Sequence, residues 1–258
     1  MKKKNLISVA LLFAALGLLL CSCENDSGTE VTEYMPNFID AYYSYDDCLI
    51  YVYDSYQLRI NADFEINRDI SNWYTLKSKD ESNRAIFTEL SIKNNDTSFN
   101  RNVTFVWGYA SYNMMPDIDI KAINIVSSVP IDKDHPAGAT LNDLFNIQAV
   151  TPRDFINSNY TKVLTTQEVD AFLFSSEGLY TNDYFTPCYT PIIKPLENVV
   201  EEDLFLIGDG NMDNCTLFVL NPKDKLNCPA YGKTLTITLT YDGKEPISKT
   251  FTYTKGTY

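Results

Sequence analysis

Short runs in which apolar and polar residues alternate recur along the chain and predict β-strands. The clearest is "TLTITLTY", residues 234–241, where apolar residues alternate with threonine before the turn "DGKEP" and the return "TFTYT". This pattern predicts a β-hairpin at the carboxyl end of the chain. Further predicted strands show the same alternation or a short apolar run between turn signals, and they cover residues 48–53, 57–66, 86–93, 103–110, 119–128, 169–176 and 215–220.

Helical signals are short and few. "GATLNDLFNI" has Thr140 before Leu141 and Asp143 three residues after Thr140, which predicts a short helix start. "LTTQEVDAF" is compatible with a helical turn or with a strand. Residues 180–198 contain three prolines and predict an extended edge segment. Together these patterns predict a mainly β fold, an antiparallel β-sandwich (Ig-like or related) with one or two short helices.

The amino terminus has the pattern of a lipoprotein signal peptide. "MKKKN" precedes an apolar stretch over residues 6–20, shorter than the roughly 20 residues of a membrane-spanning helix. The stretch ends in "LCSC", where the small Ser22 directly precedes Cys23, and this resembles the bacterial pattern in which a cysteine receives lipid. We therefore predict a signal peptide over residues 1–22 and covalent lipid at Cys23. A secreted form cut near Ser22 is the alternative.

An acidic segment follows the predicted lipid site. Residues 24–33 contain four acidic residues and no basic one, so we predict a flexible tether over residues 23–34 and a β-sandwich domain over 35–258. The segment resembles the acidic export tags of Bacteroidota surface lipoproteins, which implies an outer-membrane protein that faces outward. A plain tether, with the domain on the periplasmic face, is the alternative.

Composition narrows the classes of partner. The formal net charge of −13 opposes binding to nucleic acid and to anionic lipid, so the predicted membrane contact is through the lipid anchor alone. A hydrophobic content of 45% predicts a packed core and argues against disorder.

Four cysteines remain after Cys23, an even number that is compatible with disulfides in an oxidising compartment. Cys215 and Cys228 are the most local pair, and we consider a disulfide between them. The alternative is that these cysteines are buried thiols. The chain has no CxxC pair and one histidine, which argues against a zinc site.

One stretch supports a family resemblance. "KAINIVSSVPIDKDHPAGATLNDLF", residues 121–145, resembles the middle of a family of Bacteroidota lipoproteins classed as a domain of unknown function. The similarity continues more weakly to the final hairpin. It implies a β-sandwich and a lipoprotein, and it implies no catalytic or ligand-binding residues.

No catalytic constellation is visible, and we predict that the protein is not an enzyme. The single histidine, His135, lies in the turn "DKDHPAG", and the chain has no GxSxG, HExxH, P-loop or GxGxxG motif. We predict no cofactor beyond the lipid at Cys23.

The loop "GDGNMDN" is a weak candidate for calcium. Asp209, Asn211 and Asp213 have the first three spacings of an EF-hand loop, but Asn214 replaces its glycine and Leu220 its bidentate glutamate. We predict no metal here and interpret the loop as a turn between strands, with calcium as the alternative.

Aromatic residues are the main indication of binding. Tyrosines are dense over residues 42–56, and Trp73, Trp107 and Tyr109 lie further along. Exposed rings of this kind stack on sugars, so these three residues are a candidate glycan platform, although strands also use aromatics in their cores. We therefore predict a non-catalytic binding or structural role with unknown glycan or protein ligand. The alternative is a glycan-binding accessory lipoprotein of a polysaccharide-uptake system.

Overall fold

The computed structural model describes residues 31–53, 56–63, 73–105, 113–175, 187–210 and 215–254. The chain divides into a small compact unit, residues 1–33 with 102–110, and a large one that contains the rest. A two-stranded sheet joins β1 (Val31–Met35) to β5 (Arg101–Phe105). Strand β1 therefore begins at Val31, inside the tether predicted over residues 23–34.

The centre of the large unit is a five-stranded antiparallel sheet, in which the strands have the order β3-β4-β10-β8-β9. Strand β9 lies at one edge, as the prolines of this segment predict, because proline cannot donate a hydrogen bond to a central ladder. The strands are β3 (Asp47–Val52), β4 (Leu58–Asp63), β8 (Phe145–Thr151), β9 (Thr190–Pro195) and β10 (Thr216–Pro222).

A three-stranded antiparallel sheet contains the predicted carboxyl-terminal hairpin. It consists of β7 (Ile120–Ser127), β11 (Thr234–Tyr241) and β12 (Ile247–Thr252) in the order β12-β11-β7. On β11 the apolar residues are buried and the threonines point to the other face, as the alternation predicts. A short parallel pair, β2 (Ala41–Tyr43) and β6 (Met114–Pro116), completes the strands of the described residues.

The main hydrophobic cluster fills the space between these two sheets. Ile60, Ile147 and Leu220 of the five-stranded sheet and Ile125 and Ile237 of the three-stranded sheet are all fully buried members of it. Two antiparallel sheets that share one apolar core form a β-sandwich, which confirms the predicted fold class.

Short helices form a further layer. Among the described residues the α-helices are α1 (Glu81–Lys93), α2 (Arg153–Asn157) and α3 (Thr166–Ser175), against the one or two that the sequence predicted. In the same residues, 3-10 turns span Asn142–Leu144, Leu196–Asn198 and Glu201–Leu204.

A second hydrophobic cluster joins these helices to the five-stranded sheet. Phe87 of α1, Phe155 of α2 and Phe172 of α3 belong to it, and so do Val150 and Val219 of the sheet. The central sheet therefore has buried apolar residues on both faces. On the helical side these apolar residues cover only part of the face.

Two predicted strands are helices. Residues 86–93 lie in α1, because Asp80 caps the helix by accepting a hydrogen bond from the Ser82 N–H at 2.8 Å, and Phe87 and Ser91, four residues apart, are buried on one side. Residues 169–175 lie in α3, so the helical alternative holds there. Conversely, the short helix expected after Thr140 is a single 3-10 turn that leads into β8.

Candidate functional site

Several residues singled out in the sequence lie outside the described part of the chain. They are the lipid site Cys23, the aromatic residues Trp107 and Tyr109, and the loop residues Asn211 and Asp213. Within the described ranges, none of the helices is long and apolar enough to cross a membrane.

The glycan platform predicted at Trp73 is wrong for that residue. Its side chain is 2% exposed and belongs to the main core cluster. Tyr42, Tyr43 and Tyr45 are equally inaccessible, at 0–2% exposure. The cause is the position of β2 and its neighbours between the two hydrophobic clusters, where rings serve as core.

The predicted Cys215–Cys228 disulfide is not present: both residues are buried thiols. The cause is the strand between them. Cys215 directly precedes β10, whose seven residues extend over roughly 23 Å. Cys228 lies beyond the other end, where it is close enough to Tyr253 to raise the pKa of that phenol, in addition to the effect of burial. A disulfide requires Cα atoms within about 7 Å.

Asp209 lies in a turn, as one of the two interpretations of its loop predicts. Its N–H donates to the Thr216 carbonyl at 3.0 Å, and the Gly208 N–H donates to the Val150 carbonyl at the same distance. These bonds connect the loop to β8 and β10. Across the described residues, no three His, Cys, Asp or Glu side chains lie close enough to hold a metal ion. The calcium alternative stays untested, because two of its ligands are outside those residues.

His135 is held between two carboxylates. Its Nδ1 is 2.8 Å from Oδ1 of Asp132 and its Nε2 is 3.0 Å from Oδ2 of Asp143. Burial opposes the charged ring, but the hydrogen bonds to Asp143 and Asp132 raise the pKa of His135 above its ordinary value. A ring with both nitrogens directed at carboxylates acts as a double donor that ties the β7–β8 connection together, so this arrangement has a structural role.

The helical side of the five-stranded sheet carries four amide side chains that the sequence did not predict. Asn146 of β8 lies directly opposite Asn221 of β10, and Gln148 lies opposite Val219. Asn61 of β4 is on the same face, because Arg59, two residues before it, is opposite Val219 and side chains alternate along a strand. Asn61 is paired with Thr216 and so lies five residues along β10 from Asn221. We call Asn61, Asn146, Gln148 and Asn221 the amide patch.

The amide patch is largely buried, and two of its oxygens have no partner. Asn61 is 7% exposed, Gln148 is 5% and Asn221 is 8%. Within the described part of the chain, neither the Asn61 Oδ1 nor the Asn221 Oδ1 accepts a hydrogen bond. Thr216 is paired in register with Asn61, and within the described residues its hydroxyl oxygen is also buried without a hydrogen-bond partner. Each such acceptor costs about 1–3 kcal/mol when it is left unsatisfied, so these groups are candidates for binding a partner.

An aromatic and cationic rim borders the amide patch. Tyr51 of β3 is directly opposite Arg59 of β4, and both are half-buried. The guanidinium carbon of Arg59 lies 5.3 Å from the ring centroid of Tyr53, within cation–π distance. At the opposite edge of the sheet, Ile193 of β9 is paired with Gln148, and its side chain is 49% exposed. The row across all five strands therefore consists of Tyr51, Arg59, Val219, Gln148 and Ile193, with the buried Val219 at its centre.

This arrangement can bind but has no catalytic group. An amide side chain both donates and accepts hydrogen bonds, an arginine donates, and a tyrosine ring offers an apolar face. None of the four patch residues titrates or acts as a nucleophile.

Comparison with family models, with curated proteins and with solved structures found no match for this chain. The resemblance of residues 121–145 to a family of Bacteroidota lipoproteins therefore stays a prediction.

Proposed function

We propose that this protein is a lipid-anchored outer-membrane lipoprotein whose β-sandwich domain has a non-catalytic binding role. The amide patch is the observation that supports the binding role, because it places buried hydrogen-bonding groups without partners on one sheet face. Because these groups are inaccessible to solvent, a ligand satisfies them only by displacing residues that cover this face.

The sequence supports the anchor. A positively charged start, a short apolar stretch and the "LCSC" ending place Cys23 where lipoproteins are modified. A diacylglycerol thioether and an acylated amine together hold a protein far more firmly than one chain does, since each buried methylene contributes about 0.8 kcal/mol.

Labelling of cells with a radioactive fatty acid tests the anchor. The full-length protein should incorporate label and fractionate with the outer membrane, and Cys23→Ala should abolish both. Cys21→Ala is the matched control, because we expect this residue to be removed with the signal peptide. Label that survives in Cys23→Ala, or is lost in Cys21→Ala, would refute the assignment.

Protease treatment of intact cells tests which way the domain faces. If the acidic segment after Cys23 acts as an export tag, added protease digests the domain while a periplasmic marker survives. If the domain is digested only after the outer membrane is opened, it faces the periplasm and the outward orientation is wrong.

A glycan-binding accessory role in polysaccharide uptake is the second candidate. The amide patch favours it, since amides and tyrosine rings suit sugar hydroxyls and sugar ring faces. The buried ring of Trp73 offers no face to a sugar and does not support this role.

A further inference from the structure

We propose that His135 is a proton-dependent switch, which holds the β7–β8 connection against the 3-10 turn Asn142–Leu144 when its ring is charged and releases it when the ring is neutral. This inference goes beyond the proposed function and is independent of the amide patch. It concerns a conformational change of the loop over residues 128–139.

The two contacts of the His135 ring differ in what they connect. Its Nδ1 is 2.8 Å from Oδ1 of Asp132, which belongs to the same loop and lies three residues earlier. Its Nε2 is 3.0 Å from Oδ2 and 3.2 Å from Oδ1 of Asp143, which belongs to the 3-10 turn. The contact with Asp143 is therefore the one that joins the loop to the turn.

Both contacts together require a charged ring. A charged imidazole donates a hydrogen bond from each nitrogen, whereas a neutral one donates from one nitrogen and has a lone pair on the other. A carboxylate repels such a lone pair, and the side chain of His135 is only 12% exposed, which leaves little room for water between the two groups. Loss of the proton therefore breaks one of the two contacts.

Asp132 is the partner that the neutral ring keeps. Its Oδ1 also accepts hydrogen bonds from the N–H groups of Asp134 and His135, both at 2.9 Å, so the loop itself fixes this carboxylate beside the ring. The side chain of Asp143 is 50% exposed, so it can turn into water at little cost. The neutral ring therefore donates from Nδ1 to Asp132 and releases Asp143.

Other charged side chains nearby do not oppose this release. Within the loop, Lys133 and Asp134 are exposed and face each other, with Nζ and Oδ2 3.8 Å apart. From the 3-10 turn Leu196–Asn198, Glu197 is close enough to Asp143 for the two carboxylates to repel each other, while Lys223 donates to Glu197. Once the ring has lost its charge, this repulsion favours movement of the Asp143 carboxylate toward water.

The direction of the switch follows from the environment of the ring. Burial lowers the pKa of His135, but the hydrogen bonds to Asp143 and Asp132 raise it above its ordinary value. The loop is therefore held below about pH 6.5 and released as the pH rises through the folded-state value. Ile131 packs against the main core cluster and its N–H donates to the His135 carbonyl at 2.9 Å, so release of the loop loosens this bond.

Hydrogen exchange of the full-length, detergent-solubilised protein, followed by mass spectrometry at pH 5.5 and pH 8.5, tests the proposal. Each exchange rate is divided by the rate of an unstructured peptide at the same pH, which gives a protection factor. We expect the protection of residues 128–139 to be about fivefold lower at pH 8.5, the effect of one partly exposed ion pair. The protection of β11 should change by less than this and serves as the reference.

Asp143→Ala should show the low protection of the loop at both pH values. Asp134→Ala is the matched control and should keep the fivefold change, because the side chain of Asp134 faces Lys133. The protection of β11 shows whether each variant is folded. The proposal is overturned if the loop is equally protected at both pH values, or if Asp143→Ala keeps the change. It is also overturned if β11 loses as much protection as the loop, since the change is then global.

Discussion

Asn146 and Asn221 lie directly opposite each other on adjacent antiparallel strands, on the helical side of the central sheet. Each has as chain neighbours the buried apolar residues of the other face, such as Phe145, Ile147 and Leu220. The same two strands therefore present a dry core on one side and amides on the other. A fold that needed only packing would place apolar residues at both, as it does at Val150 and Val219.

The buried carboxylate of Asp96 is expected to stabilise the large unit. Asp96 is 0% exposed, and it accepts hydrogen bonds from the Phe38 N–H, the Ile39 N–H and the Tyr160 hydroxyl at 2.8–3.0 Å. Burial raises the pKa of Asp96 despite these donors. Asp96→Ala leaves two backbone donors unpaired and should lower the free energy of unfolding by about 2–4 kcal/mol.

Denaturant titration measures this change. Glu89→Ala on the exposed side of α1 is the control, and it should stay within about 0.5 kcal/mol of the unsubstituted protein. If Asp96→Ala and Glu89→Ala unfold at the same denaturant concentration, the hydrogen bonds of Asp96 contribute nothing to stability.

His135 should titrate above its ordinary pKa. It is the single histidine of the chain, so one ring C–H signal reports it in a proton NMR titration. Asp143→Asn removes one of the two carboxylate partners and should lower the pKa of His135. Asp134→Asn is the control, since the side chain of Asp134 is directed at Lys133.

The sign of the effect on stability follows from the direction of this shift. Because the folded-state pKa of His135 is raised, its contacts stabilise the fold fully below about pH 6.5, the unfolded value, and less as pH rises through the folded value. Asp143→Asn should therefore destabilise the protein more at pH 5.5 than at pH 8.5, by at most about 1 kcal/mol. An equal loss at both pH values contradicts the ion-pair account.

The cysteines should react as thiols. Burial raises the pKa of Cys48 to about 12, so iodoacetamide at pH 8 should leave it unmodified in the folded protein. In urea without reductant, all four described cysteines should each gain one label in the mass spectrum. A Cys215–Cys228 bridge would leave that pair unlabelled until reduction, and such a result would contradict the structure.

The fold was predictable where one local pattern was unopposed. The alternation of residues 234–241 placed the hairpin, and the prolines of residues 187–195 placed an edge strand. The failure at residues 86–93 came from a mixed pattern, since Ile86, Phe87 and Leu90 fit a helix face as well as a short apolar run fits a strand. The N-cap at Asp80, whose side chain accepts a hydrogen bond from the Ser82 N–H, favours the helix.

The amide patch could not be predicted from the sequence. Asn61, Asn146 and Asn221 come from three strands far apart in the chain, and strand order and register place them on one face of the sheet. A single asparagine in a strand pattern reads as an outward position facing water. The one available signal was Asn221 directly after the apolar run "LFVL" of β10. Such a residue indicates a polar position within a buried strand, but it does not indicate which group binds there.

The central claim is that the amide patch serves binding and not folding, and thermal unfolding of Asn221→Leu tests it most directly. Leucine branches at Cγ as asparagine does and has no unsatisfied acceptor, so the account predicts an unchanged Tm or a rise of about 2–4 °C. Leu220→Ala, one residue away on the core face, should instead lower Tm by several degrees. If Asn221→Leu lowers Tm as far as Leu220→Ala does, Asn221 supports the fold and the claim is contradicted.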